Sequence, residues 1–295
     1  MTERPDADLV VIGAGPAGCA AVVMAESLNV ATILVDPAEI CAKLTAIPIL
    51  DNVLGGFTTG AALAEKAAED VHRSKRCTLR LGERAAHITV DEHRVSVLLQ
   101  NGETLTARGL VLATGVAPVE PAASRWISLG HGVAAPQLTS LAPRQLDHRS
   151  VLILGADRPL GTLLRAHPRL DVRFTVAYPQ SDRYKTDEVR TDPRVTLIPA
   201  QHIELTAHDK ALANAVVDGE MLEPHDLITS NIGTTPVSPT GPLVHDELGY
   251  CPIERQHARI HVAGDLRSAR GQRIMTAMGS GAEAALRFYY NQQRE

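Results

Sequence analysis

The chain has 295 residues, of which 44% are hydrophobic and 21% charged, with a formal net charge of −5. That length suits two domains and buries a core without disulfide or metal staples, while the slight acidic excess and 3% aromatic content argue against a nucleic-acid binder or an anionic-membrane binder. No apolar stretch reaches the roughly 18 residues of a membrane span, and Met1 to Asp8 is acidic without an apolar signal core, so a cytoplasmic protein with no membrane partner is expected.

Leu9 to Ile12 is a short apolar run ended by glycine, the pattern of a buried parallel strand. Ala17 to Asn29 is alanine-rich and helical, and Val30 to Val35 forms a second buried strand, which completes a βαβ unit. Ala61 to Arg76 is a surface helix with Thr58 and Thr59 as N-cap candidates, a Glu69–Arg73 pair at i,i+4, and Lys75 and Arg76 at its end. Arg94 to Gln100 and Glu103 to Arg108 flank Asn101-Gly102, the signal of a type I′ hairpin. Leu110 to Gly115 is a further buried strand running into a glycine turn. Four prolines between Val116 and Ser150 mark irregular structure. Ser150 to Gly155 then restarts a strand–glycine–helix pattern, stopped by Pro168 and followed by a strand over Val172 to Ala177. Thr235 to Pro242 is the next loop-rich break, Ile260 to Gly264 a late strand, and Ile274 to Tyr290 a terminal helix.

Gly13-Ala-Gly-Pro-Ala-Gly18 lies between the first strand and the first helix. In such a motif Gly13 makes the tight turn, Gly15 lets the backbone approach a pyrophosphate, and Gly18 permits close strand–helix packing. Pro16 and Ala17 open the helix, whose N-terminal N–H groups favour phosphate. Asp36 closes the second strand, where a carboxylate can accept hydrogen bonds from ribose hydroxyls. Cys19, Cys41, Cys77 and Cys251 are widely spaced and include no CxxC, so they read as buried free thiols. Twelve histidines stand without partners at ligand spacing, and His257 and His261 straddle a loop and a strand. No metal site is expected.

Over essentially its whole length the chain resembles the low-molecular-weight thioredoxin reductases, flavoproteins with two dinucleotide-binding domains. The resemblance is carried by the Gly13–Gly18 motif, Asp51-Asn-Val-Leu-Gly-Gly-Phe57, Leu112-Ala-Thr-Gly115, Val262-Ala-Gly-Asp265 and Thr276-Ala-Met-Gly-Ser-Gly281. It implies an α/β fold of two Rossmann-like, doubly wound, three-layer domains, the second inserted in the first. Residues 1–117 and 245–295 would bind FAD, and 118–244 would form a degenerate NAD(P)-binding-like domain. It also implies a homodimer. Beyond the glycine motif and Asp36, the FAD-binding residues implied are Pro37, Lys43, Leu44, Thr45, Asn52, Ala113, Thr114, Gly115, Gly264, Asp265, Arg273 and Ile274. Asp265 suits a ribityl hydroxyl, and the helix after Arg273 can aim N–H groups at reduced flavin.

The departures from that family are as informative. The family's two reactive cysteines fall on Pro136 and Thr139, so thioredoxin reduction by dithiol exchange is not expected. Asp157 stands where the second motif needs its pyrophosphate glycine, and Val176 to Gln180 lacks the arginine pair that grips the 2′-phosphate of NADPH. Arg183 and Lys185 follow as solvated surface charges. Near the flavin, Cys41-Ala-Lys-Leu-Thr45 replaces a Gly-Gly-Gln segment, and Lys43 can stabilise anionic reduced flavin. The expected function is an FAD-dependent oxidoreductase working without a disulfide and without efficient NADPH use. Its electrons would come from a partner protein, a small-molecule substrate or a weakly bound nicotinamide. The alternative is a non-catalytic flavin- or nucleotide-binding sensor or assembly protein. No catalytic residue can be named from the sequence.

Overall fold

The first apolar run forms strand β1 (Ala7–Ile12), and Gly13, at φ +104°, turns the chain into helix α1 (Pro16–Ser27). A Cβ on Gly13 would sit 2.3 Å from the Ala113 carbonyl oxygen, so only glycine permits this approach. Strand β2 (Thr32–Asp36) returns parallel to β1. Helix α2 (Gly60–His72) starts at Thr59, whose Oγ1 accepts the Ala62 N–H at 3.2 Å. Thr59→Ala should therefore cost about 1 kcal/mol, read as a lower urea midpoint with an unchanged slope. Arg73 lies 3.6 Å from Glu69 on this helix, both exposed, which is worth little.

The computed structural model describes residues 4–209 and 212–293, in two units: Met1–Ala117 with Thr235–Glu295, and Pro118–Thr234. In the first unit β3 (Cys77–Leu81), β4 (Ala85–Val90), β5 (Val95–Leu99) and β6 (Thr104–Leu112) follow α2. Two sequence expectations change here. The hairpin is not type I′: Gly102 alone of the turn pair has positive φ, at +90°, whereas type I′ needs it at both central residues. Asn101 instead uses its side chain, with Oδ1 accepting the Glu103 N–H at 2.9 Å, while the Gly102 N–H reaches the Leu99 carbonyl at 3.1 Å. Nor are residues 103–108 and 110–115 separate strands. They are the single strand β6, which pairs antiparallel with β5 through its first half and parallel with β1 from Ala107 onward.

Strand β7 (Val116–Pro118) lies at the crossing, and the second unit begins with β8 (Ile127–Leu129) and the short α3 (Pro143–Leu146) within the proline-rich stretch. Then β9 (Arg149–Leu154), α4 (Pro159–Ala166), β10 (Val172–Tyr178) and β11 (Val195–Pro199) form the βα pattern. Strands β12 (Ile203–Asp209), β13 (Leu212–Val217) and β14 (Glu220–Met221) precede β15 (Leu227–Ser230). The order β11-β10-β9-β15 is wholly parallel. Leu160 and Leu164 of α4 cover one face of it, and a second sheet, β14-β13-β12-β8, covers the other through Ile127, Ile203, Leu205 and Val217. That makes three layers.

The chain returns through β16 (Thr234–Pro236), which pairs with β7, to β17 (Ile260–Val262) and α5 (Ile274–Gln292). The return falls at Thr235 rather than at 245. The break over 235–242 packs on the first unit, where Val237 N–H donates to the Gly115 carbonyl and Thr240 N–H to that of Ala86. In the first unit's sheet, β3-β2-β1-β6-β5-β4, β17 joins parallel to the second half of β6. Helices α1, α2 and α5 share one core on one face. The opposite core is built by β4, β5 and the start of β6 with Leu243, Cys251 and Leu266. Helix α5 lies so close to α1 that a Cβ on Gly281 would come within 1.9 Å of the Ala17 carbonyl oxygen. Among the described residues no helix is long and apolar enough to cross a membrane.

Candidate functional site

In the first unit β1 lies between β2 and β6, so the strand order reverses at its carboxyl end, the place where open α/β sheets form a ligand crevice. A groove enclosing about 130 Å³ opens there. Its floor is the β1–α1 turn and the head of α1, from Ala14 to Ala17. One wall is Asp36 with residues 38, 39 and 41–44, and the other is residues 113–115 with Gly264, Asp265 and Ala277.

Gly15 lines the groove, and a Cβ built on it would meet nothing within 4 Å. Its missing side chain leaves open space at the positive end of α1, the geometry a pyrophosphate requires. The residues present therefore fit a dinucleotide phosphate. Asp36 is fixed before any ligand arrives: Oδ2 accepts the Ala14 N–H at 2.6 Å and Oδ1 the Ala38 N–H at 2.7 Å. Each oxygen keeps a lone pair for a ribose hydroxyl. Lys43 is exposed, lines the groove and donates from Nζ to the Val116 carbonyl at 2.6 Å. Thr114 Oγ1 donates to the Val237 carbonyl. The Gly264 N–H donates to Ser280 Oγ at 2.8 Å, tying the strand end beside Asp265 to α5.

Of the sequence-expected residues, Gly15, Pro16, Ala17, Asp36, Lys43, Leu44, Ala113, Thr114, Gly115, Gly264 and Asp265 line this groove. Gly13, Gly18, Pro37, Thr45, Asn52, Arg273 and Ile274 are not among its lining residues. Gly13 and Gly18 act instead by close packing: a Cβ on Gly18 would strike the Gly13 carbonyl oxygen at 1.8 Å. Asn52 is exposed in a bend, and Thr45 Oγ1 turns back to the Ala42 carbonyl at 2.7 Å. Arg273 is the N-cap of α5, its N–H on Thr276 Oγ1 at 3.1 Å, and the groove is met one turn later by Ala277. Sequence reasoning missed Ala14, Ala38, Glu39, Cys41, Ala42 and Ala277. Cys41 and Ala42 lay inside a segment read for its lysine, and the small alanines offered no chemical signal.

In the second unit charged side chains stand near the corresponding turn. Gly155 keeps the left-handed turn at φ +96°, but Asp157 follows it, tied by its N–H to the Asn231 carbonyl at 3.1 Å. A Cβ on Gly233 would lie 3.7 Å from Lys185 Nζ and 4.0 Å from the Asp157 carboxyl carbon. Lys185 is therefore no solvated surface lysine. Its side chain is 19% exposed and pairs with Asp182 at 2.9 Å, held by a 3₁₀ helix over Gln180–Glu188. Arg183 is exposed. Pro136 and Thr139 are both exposed, and the Pro136 carbonyl accepts from Ser230 N–H and Thr229 Oγ1. The sequence from 118 to 234 contains no cysteine.

A second groove of the first unit, about 380 Å³, is lined by His257 and His261 together, with Arg108, Arg259 and Phe288. The two histidines thus share a groove although they share no helical face. Among the described residues no group of three potential ligands could hold a metal ion. His261 is buried edge-on to Phe288 at 6.2 Å, and burial, aided by Arg287, lowers its pKa to about 4. It stays neutral in the folded chain while the unfolded chain protonates below about 6.5. Its contribution is complete above about 6.5 and is lost as pH falls from there toward 4, up to about 3 kcal/mol. His261→Phe should flatten that part of the pH–stability profile in urea unfolding, leaving a slope of the same sign from buried His225, whose pKa is also lowered by burial.

The model of a family described as pyridine nucleotide-disulphide oxidoreductase matches residues 7–156. Comparison with curated proteins gives no match. Among solved structures, a thioredoxin reductase of T. acidophilum is 19% identical with a TM-score of 0.80, covering 98% of this chain and 100% of its own. A Lactococcus lactis thioredoxin reductase is 18% identical with a TM-score of 0.81 over the same shares. The bacillithiol disulfide reductase of Bacillus cereus is 16% identical with a TM-score of 0.69, covering 97% of this chain and 99% of its own. At these identities the likeness establishes the fold.

Proposed function

The chain belongs to the pyridine nucleotide-disulphide oxidoreductase family, whose cofactor is FAD, and from that premise we propose an FAD-dependent oxidoreductase that works without a redox disulfide and without efficient use of NADPH. The observation that carries this reading is the contrast between two glycine turns: Gly15 stands open over the head of α1, whereas Asp157 and the Lys185–Asp182 pair crowd the second turn.

FAD supplies two-electron transfer when bound. The backbone N–H groups at the head of α1 would hold its pyrophosphate, and Asp36 and Asp265 its hydroxyls. The positive end of α5, reached at Ala277, and the Lys43 ammonium favour negative charge in the groove, which suits a cofactor that becomes anionic on reduction. With no cysteine between 118 and 234, electrons would pass directly between flavin and a small-molecule substrate or a donor protein.

The test is a visible spectrum of the purified protein, followed by anaerobic titration with dithionite, NADH, NADPH and a reduced one-electron carrier protein. Bound FAD that is reduced by a donor and reoxidised with turnover supports the proposal. Bound FAD that no donor reduces would favour a flavin-binding sensor or assembly protein. Protein without FAD affinity ends both readings.

A further inference from the structure

Cys19 and Cys41 are 22 positions apart in sequence, yet their sulfurs lie 3.7 Å apart. Both are buried, at 4% and 3% exposure, and Cys41 lines the groove. The chemistry proposed for the flavin uses neither. Both also touch the Ala14 carbonyl: the Cys41 N–H donates to it at 2.8 Å and the Cys19 thiol at 3.3 Å. The N–H of the same residue donates to Asp36 Oδ2. Cys41 is held at φ 54°, a left-handed conformation that non-glycine residues seldom adopt, and it begins the 3₁₀ turn Ala42–Ala46. The pair thus joins the first turn of α1 to the loop that walls the groove, through Ala14, the residue that also binds Asp36.

We propose that Cys19 and Cys41 are a reversible thiol–disulfide site that loosens the hold of the groove on FAD when a peroxide oxidises it. The FAD half of this proposal rests on the function argued above. Of the two sulfurs Cys41 is the nucleophile. It lines the groove, where peroxide reaches it, and the contact with Cys19 lowers its pKa, while the same contact and burial raise that of Cys19.

The Cys41 thiolate attacks one oxygen of hydrogen peroxide and the O–O bond breaks, giving a sulfenic acid and hydroxide, which is protonated to water. The Cys19 sulfur then displaces the sulfenic hydroxyl, which leaves with the Cys19 proton as a second water, and the S–S bond forms. The sulfurs lose two electrons and the peroxide gains two. Closing the sulfurs from 3.7 Å to a bond of about 2.05 Å draws residue 41 toward α1. It also removes the Cys19 S–H from the Ala14 carbonyl. Both changes act on Ala14, the residue whose N–H orients Asp36. Linkage requires the reverse effect, so bound FAD disfavours the disulfide by the same factor.

The experiment treats the full-length protein, with and without FAD, with hydrogen peroxide, then maps cysteines by differential alkylation and peptide mass spectrometry. The expected result is one Cys19–Cys41 disulfide, reversed by dithiothreitol, slower to form with FAD present, with Cys77 and Cys251 still alkylated. Fluorescence titration should show FAD bound at least about fivefold more weakly by the oxidised form, the worth of about one neutral hydrogen bond. Cys41→Ser should form no disulfide and show no peroxide effect on FAD affinity. Cys19→Ser should stop at a Cys41 sulfenic acid trapped by dimedone. Failure of the Cys19–Cys41 link to form without FAD overturns the site, and a link with unchanged FAD affinity overturns its effect. A reduced protein that never binds FAD would instead count against the function proposed above, a result the disulfide map reads separately.

Discussion

Gly15→Asp should give a colourless protein that folds as before. A Cβ at position 15 meets nothing within 4 Å, so the substitution strains no neighbour. It fills the space at the head of α1 and places a carboxylate where a pyrophosphate must lie. Like charges at about 4 Å cost roughly 1–4 kcal/mol at effective dielectrics between water and a protein surface. Displacing the phosphate from the helix N–H groups adds to that, so FAD affinity should fall at least about a hundredfold. The check is calorimetric titration with FAD beside a far-UV circular dichroism melt. An unchanged melt with lost binding is the expected pair of results. A yellow Gly15→Asp protein would mean that the cofactor sits elsewhere.

NADPH should reduce the flavin slowly or not at all. Asp157 places a carboxylate in the second glycine turn, and Lys185 nearby is already committed to Asp182 at 2.9 Å. Repulsion there is again on the order of 1–4 kcal/mol. The missing arginine pair removes about 1.5–3 kcal/mol for each charge-assisted bond to the 2′-phosphate. Together these raise a micromolar dissociation constant to about millimolar or beyond. Stopped-flow mixing under argon measures it. Rapid, complete bleaching at micromolar NADPH would show the second turn to be a working nucleotide site.

The parts of the molecule legible in sequence are those fixed by local chemistry. The strand, glycine turn, helix and acid from Leu9 to Asp36 follow from four apolar residues, a glycine spacing and one carboxylate. Asp157 and the absence of cysteine beyond Cys77 until Cys251 can be read directly. What depends on distant partners was out of reach. Asn101 is a favoured turn residue, but its side chain captures the Glu103 N–H and selects a different turn. Lys185 looks like any surface lysine until a 3₁₀ turn folds it beside Gly233. The second sheet of the inserted unit rests on short strands such as Glu220–Met221, too brief to show a period. Cys19 and Cys41 meet only because the 37–46 loop doubles back onto α1.

Strand β6 has one edge shared by two partners: β5 takes Thr104 to Ala107, and β17 takes Leu110 to Leu112. During synthesis the second of these arrives last. Once the chain has emerged as far as residue 234, every strand of the inserted unit is free to pair within that unit, while the backbone of Leu110–Leu112 still waits for Ile260–Val262. Such an apolar, unpaired edge is a template for the wrong strand, and pairing across so long a separation is slow. The groove inherits this delay, because Gly264, Asp265 and Ala277 follow β17 in the chain. On the function proposed above, FAD capture would follow the arrival of β17, and a nascent chain stalled before β17 would be the species most exposed to aggregation.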